Sequence, residues 1–263
     1  MSQHQIELLM YTAPERIRAA NERWISRILE NLDVTRLCAE KLSLPELWLS
    51  PDLLLTQTCG YPLMTALRGK VRIIGRPRYE FSDASAGSHC SLILCRADDP
   101  RKTLVDFRNS RGVINSEDSN SGMNLLRQRL APLQQGGRFF ASVGISGGHR
   151  ESLRWLREGR ADLAAVDSVT YAYLAQHAPK EISGLRTVVR SAFSPTLPFI
   201  TVASASDAQI EQLREVMNRS LAELTDVAQT LGLAEVLPAS ESDYQVLLDY
   251  QREAEALGYG RLR

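Results

Sequence analysis

This sequence has no excess of charge of either sign. Lys plus Arg come to 31 and Asp plus Glu to 31, so no overall field gathers nucleic acid or an anionic membrane, and any anion site must be local. Cysteine is scarce: Cys38, Cys59, Cys90 and Cys95 fall in the first half, with no Cys-x-x-Cys pair and no histidine cluster beside them. That excludes a metal centre of the usual spacing. Cys90 and Cys95 would point to opposite faces of one strand, so buried free thiols are expected in place of a disulfide. No run approaches the roughly twenty apolar residues that span a bilayer, and no direct membrane insertion is expected. The opening Met-Ser-Gln-His-Gln-Ile-Glu has neither a basic n-region nor an apolar h-region. The chain as written therefore reads as cytoplasmic, or as periplasmic if a native signal has been removed. Also missing are a Gly-x-Ser-x-Gly elbow, a His-Glu-x-x-His zinc motif, a Walker loop with its lysine, fixed-period repeats and a low-complexity tail. The expectation is a protein that is not an enzyme and carries no metal or cofactor.

What is present is the composition of a globular protein. At 263 residues and 44% hydrophobic content, the chain can bury a core as one large domain or as two lobes. Ile6 to Tyr11 reads as a strand, and Pro14-Glu15 open a helix running to about Leu32. Leu47 to Leu49, Leu53 to Thr58 and Val71 to Ile74 read as short strands, with a helix over Tyr61 to Leu67, and Ser91 to Arg96 as a strand leading out of the first lobe. From Asp98 to about Ala192 strands and helices alternate: strands at Val113 to Asn115, Phe139 to Val143, Leu163 to Val166 and Leu185 to Val189, helices between them. This pattern predicts a mainly parallel sheet covered on both faces. Two long helices, Asp207 to Leu231 and Ser242 to Leu257, close the chain. The first carries apolar residues at Ile210, Leu213, Val216, Leu221, Leu224 and Val227, one face of a helix packed on a sheet.

The most informative stretch is Asn115-Ser-Glu-Asp-Ser-Asn-Ser-Gly122, which joins an apolar strand to the helix from Met123. A helix start leaves backbone N–H groups without partners and carries partial positive charge, so Ser119 and Ser121 beside Gly122 form a candidate anion cradle. A serine there also serves simply as an N-cap. A second stretch runs Val143-Gly-Ile-Ser-Gly-Gly-His149, then through Ser152 and Gly159-Arg160-Ala161-Asp162 to Asp167-Ser168. It reads as strand, glycine turn, helix and strand. In open α/β sheets ligands collect at the carboxyl ends of strands, and Tyr11, the serine loop, His149 and Asp167 all fall at such ends.

In this order, Asn115 with Ser119-x-Ser121-Gly122, Gly148-His149-x-x-Ser152, Gly159-Arg160-Ala161-Asp162 and Asp167-Ser168 resemble the phosphate/phosphonate-binding family of ABC-importer substrate-binding proteins. Tyr11 and Tyr61-Pro62 add weaker matches. The resemblance implies an α/β chain with the two-lobed type II periplasmic-binding fold and a ligand cleft between the lobes. Residues 1–95 form the first part of lobe 1, 96–196 lobe 2, and 197–263 the return to lobe 1, with crossovers near Leu94 to Ala97 and Leu197 to Thr201. It further implies that Ser119, Asn120 and Ser121 hold oxyanion oxygens, that His149 donates from the next helix start, and that Tyr11 and Tyr61 close from lobe 1. The resemblance also implies that Asp167 faces the cleft, where a carboxylate would receive a ligand amine. Read without the resemblance, Tyr11 and Tyr61 serve equally as core or rim residues, His149 as a solvated side chain and Asp167 as a helix cap.

The implied function is capture of a small oxyanion-bearing ligand such as phosphate or phosphonate, for ABC-type import with the importer's membrane subunits as partners, or for ligand sensing. The alternative is an enzyme of cofactor or small-metabolite biosynthesis on the same fold, with His149 and Asp167 as base and orienter. Two departures bear on the ligand. Cys90 stands before Ser91 where family members carry an aromatic residue, which argues against a 2-aminoethylphosphonate-type ligand. Glu117-Asp118 disfavours a highly charged anion unless both side chains point to solvent.

Overall fold

The computed structural model describes residues 3–37 and 42–263, so Cys38 lies outside the described residues. The chain forms two compact units, one of residues 1–88 and 195–244, the other of residues 89–194 and 245–263. To the first belong β1 (Gln3–Glu7), α1 (Glu15–Leu32), β2 (Thr35–Arg36), α2 (Leu44–Trp48), β3 (Leu53–Gln57), α3 (Gly60–Met64), β4 (Val71–Tyr79) and β5 (Ala84–Ser85). The short β6 (Ser88–His89) falls where the chain passes to the second unit. That unit holds β7 (Ser91–Arg96), β8 (Arg111–Ile114), α4 (Leu125–Leu130), β9 (Ser142–Ile145), α5 (His149–Arg157), β10 (Leu163–Asp167), α6 (Ser168–His177) and β11 (Leu185–Arg190). The chain returns at β12 (Ser194–Pro195), then forms β13 (Phe199–Val202), α7 (Asp207–Glu223), α8 (Thr225–Leu231), β14 (Leu233–Leu237) and α9 (Glu241–Ala256).

The first unit is built on a sheet of order β14-β4-β13-β3-β1-β2, in which β1 pairs parallel with β2 and β3, and β13 runs antiparallel to β3 and β4. α1 presents Ile17, Ala20, Trp24, Ile25 and Ile28 to the core on one face, the spacing that its apolar residues predict. Trp24 donates its indole N–H to the Met217 carbonyl at 3.1 Å, which ties α1 to α7. α7 starts at a capping box: the Gln209 amide donates to Ser206 Oγ while the Gln209 side chain accepts from the Ser206 amide. Such a start satisfies two otherwise orphaned donors.

The second unit carries a sheet of order β11-β7-β10-β8-β9. β8, β9 and β10 are mutually parallel, while β7 runs antiparallel to both β10 and β11. Because Asp167 registers with Ser91, the amino end of β7 shares an edge with the carboxyl ends of β8, β9 and β10. The core beneath that edge contains Leu92, Leu94, Val113, Leu153, Leu156, Val166 and Leu174.

Several expectations are corrected. β7 is the strand between β10 and β11 of the second unit, so it does not lead out of the first, and the crossovers fall at residues 88–89, 194–195 and 244–245. Residues 245–263 pack with the second unit and not the first. There the amide of Asn124 donates to the Leu247 carbonyl at 3.0 Å, Arg127 Nη1 to Gly260 O at 2.7 Å, and the Phe139 backbone N–H to Arg263 O at 2.6 Å. The four strands from β8 to β11 run parallel as expected, and the unexpected member of the sheet is β7, inserted antiparallel between β10 and β11. Leu47–Leu49 is helical up to Trp48, because Ser43 and Glu46 form a capping box with Pro45 at the helix start. The segment from Phe139 becomes a strand only at Ser142: the Phe140 ring packs so closely on Gly112 that a Cβ there would stand 2.7 Å from it. The long helix from Asp207 breaks at Leu224 into α7 and α8. Cys59, Cys90 and Cys95 are buried and outside any disulfide.

Candidate functional site

The serine loop after β8 enters its helix through one π-turn, Asn120–Asn124. The Asn124 N–H donates to Ser119 O, and the Leu125 N–H to Asn120 O. The wider turn is a feature that concentrates at functional positions. Ser119 caps it, its Oγ accepting from the Gly122 N–H at 3.0 Å. Ser119, Asn120 and Ser121 are all buried. Asn120 is committed within the unit: its Nδ2 donates to Ser194 Oγ at 3.1 Å and its Oδ1 accepts from Asn124 at 3.2 Å. Gly122 is required by space, since a Cβ there would lie 1.8 Å from Asn115 Oδ1 and 3.3 Å from His149 Cε1.

His149 opens α5 after the turn at Gly147, whose φ of +89° suits glycine. Its Nε2 lies 3.0 Å from Ser121 Oγ, so the structure brings these two predicted residues together. Burial pushes the imidazole below its ordinary pKa, the Asp167 carboxylate pulls it up, and His89 pushes it down again, leaving it net lowered. The ring is therefore a neutral hydrogen-bonding group near neutral pH. Asp167, ending β10, caps α6 by accepting from the Thr170 N–H at 2.9 Å through Oδ1. Its Oδ2 stands 2.7 Å from His89 Nδ1. Burial raises the Asp167 carboxyl, but His89 more than offsets this, with help from His149 and the Thr170 amide, and its pKa is net lowered. Asp167 thus pairs with His89 and does not orient His149, whose buried Nδ1 has no hydrogen-bond partner. A serine–histidine contact without a third group to fix the tautomer lacks the support that nucleophilic catalysis needs.

Two further residues complete this edge. Ser91 Oγ donates to the Ser121 carbonyl at 2.8 Å and its N–H donates to Ser191 Oγ at 2.8 Å, so β7 holds the π-turn in place. His89 went unnoticed as a site residue because Ser-His-Cys-Ser is no motif, and Ser91 stands out in the sequence only as the neighbour of Cys90; the register of β7 on β10 puts both there. Glu117 and Asp118 are exposed, with Glu117 paired to Arg261 at 3.0 Å, so the acidic pair does point to solvent. The Gly159 to Asp162 motif is structural: Gly159 takes φ +70°, Arg160 lies over the Trp155 ring at 4.1 Å, and Asp162 accepts from the Arg111 backbone and guanidinium.

In the first unit, Tyr11 and Tyr61 follow the adjacent parallel strands β1 and β3 and so share one sheet edge. Tyr11 is 7% exposed and packs edge-on against Tyr79 at 6.2 Å, while Tyr61 is partly buried at the start of α3.

A family model for the periplasmic substrate-binding protein of ABC phosphonate transporters matches residues 51–244. The chain belongs to that family. The phosphonate-binding family is one of substrate-binding proteins that serve ABC transporters, and the protein is accordingly a solute-binding protein. Its fold is the two-lobed one of solved periplasmic binding proteins. The binding-protein component of an ABC phosphonate transporter from Pseudomonas aeruginosa superposes with a TM-score of 0.78 at 13% identity, covering 98% of this chain and 88% of that one. PhnD1 from Prochlorococcus marinus in complex with methylphosphonate gives 0.76 at 13% identity, covering 97% and 98%. The alkanesulfonate-binding protein SsuA from Xanthomonas axonopodis pv. citri, bound to MOPS, gives 0.68 at 14% identity, covering 99% and 95%. No curated protein sequence matches the chain. Among the described residues no helix is long and apolar enough to cross a membrane, and no group of His, Cys, Asp and Glu could hold a metal ion.

Proposed function

We propose that the protein takes a small phosphonate-class oxyanion at Ser119, Ser121 and His149 of the second unit, with Asn120 shaping the turn and Tyr11 and Tyr61 as the first unit's contacts. The observation that carries the reading is the Ser121 Oγ to His149 Nε2 contact of 3.0 Å at the mouth of a serine-capped π-turn. It sets a hydroxyl beside an imidazole at a helix start in a chain whose family binds phosphonates. Donors pre-set in this way stabilise an anion without reorganising. The ligand is delivered unchanged to ABC-importer membrane subunits, and the family's periplasmic setting is the proposed place of work.

Calorimetry with methylphosphonate as probe tests the site. Replacing Ser119 and Ser121 by alanine removes about two hydrogen bonds to a charged group, roughly 3–6 kcal/mol before compensation, so micromolar binding should become undetectable. Affinity unchanged within threefold would remove the serine loop from the site. Mass spectrometry after prolonged incubation should recover the probe intact, and turnover that vanishes in His149→Ala would move the protein to the enzymes.

A further inference from the structure

His89 is the group that the sequence did not offer and that the anion site does not itself require. It is 1% exposed, Asp167 is 2% exposed, and the two meet at 2.7 Å. The second oxygen of Asp167 is occupied by the Thr170 N–H. Both carboxylate oxygens are therefore engaged from inside the second unit, and neither has the exposure to meet an incoming ammonium group. The far-side Nε2 of His89 is also buried and has no hydrogen-bond partner. A buried polar atom left in that state costs free energy that a bound partner recovers.

We propose that His89 is a specificity-determining residue that locks Asp167 away from the ligand, so that the site takes small oxyanions without an amine and rejects aminoalkyl ones. The proposal rests on the anion-site reading above and adds to it. A free carboxylate at the end of β10 would attract a ligand ammonium and repel ligand oxygens. Paired with His89 it does neither, because His89 Nδ1 occupies its Oδ2 at 2.7 Å and the Thr170 N–H its Oδ1. An amino-bearing ligand would then bury its ammonium with no carboxylate oxygen open to receive it, which is unfavourable. His149 feels both members of the pair, so the lock acts on the same cluster that meets the anion.

Titration calorimetry with methylphosphonate and 2-aminoethylphosphonate provides the test. The native protein should bind methylphosphonate at least tenfold more tightly. His89→Ala, which frees the Asp167 oxygen, should move the ratio toward the amino ligand by tenfold or more, and adding Asp167→Asn in that background should cancel the gain. Equal affinities in the native protein, or an unmoved ratio in His89→Ala, overturn the lock while leaving the anion site standing. Absence of binding by either phosphonate, and by sulfonates, overturns the site and the lock together. If His89→Ala does not fold, histidine 15N spectra of the native protein decide instead. They should show Nδ1 of His89 proton-bearing throughout, with Nε2 shifting as methylphosphonate is added; a proton-free Nδ1 overturns the proposal.

Discussion

Replacing Gly122 by alanine should damage the protein at one identifiable contact. The added Cβ would stand 1.8 Å from Asn115 Oδ1, 2.8 Å from Asn115 Cγ and 3.3 Å from His149 Cε1. Asn115 cannot retreat as a whole, because its carbonyl accepts from the Gly147 N–H at 3.0 Å; its side chain must rotate or the π-turn must shift. Overpacking of this kind costs about 1–3 kcal/mol. With roughly 2–4 °C lost per kcal/mol in a domain of this size, the thermal midpoint should fall by several degrees. Methylphosphonate affinity should fall with it, since Ser121 and His149 flank the disturbed turn. The decisive assay is a double-mutant cycle: in an Asn115→Ala background, which removes the clashing oxygen, Gly122→Ala should cost far less, giving a coupling energy of about 1 kcal/mol or more. An equal cost in both backgrounds, or a cost below about 0.5 kcal/mol in the native one, would refute the steric account.

Acid should reveal the Asp162 cluster. Burial pushes that carboxyl up, but Arg111 and Arg101 bring it down to about 2, so its folded pKa is depressed. Its stabilisation, about 2 kcal/mol, is present above the unfolded value near 4 and is lost as pH falls toward 2. Asp162→Asn should therefore be less stable than the native protein in urea at pH 7, with the difference fading below pH 4; a gap that persists at pH 2 would count against the pairing. His149 should titrate below 6.5 by NMR in the ligand-free protein, because burial disfavours its charged form. Since the unfolded chain binds that proton more readily, stability should drop as pH falls through 6.5, and His149→Gln should flatten that part of the profile.

The elements legible in the sequence were those whose signal is local. α1 announced itself through Pro14-Glu15 at its start and α7 through apolar residues at helical spacing, because one helix face is written in three- and four-residue steps. The serine loop and the glycine turn before His149 were placed correctly at the carboxyl ends of β8 and β9, since Ser, Gly and Asn carry their own turn chemistry. Where a short run is apolar throughout, the local signal fails: Leu47 to Leu49 is apolar enough for either a strand or a helix, and Ser43 with Glu46 decided for the helix.

Tertiary structure alone decided the rest. Strand register set Asp167 opposite Ser91 and so delivered His89 to its carboxylate, a pairing between distant segments that no spacing encodes. The allegiance of residues 245–263 turned on packing, because Leu247, Gly260 and Arg263 present carbonyls to Asn124, Arg127 and Phe139, and backbone acceptors look alike in any sequence. The amino acids alone determined which segments curl, turn and bury. Which side chains meet at the end of β10, and whether a carboxylate there is open or locked, depended on contacts that exist only after long-range pairing has fixed the sheet.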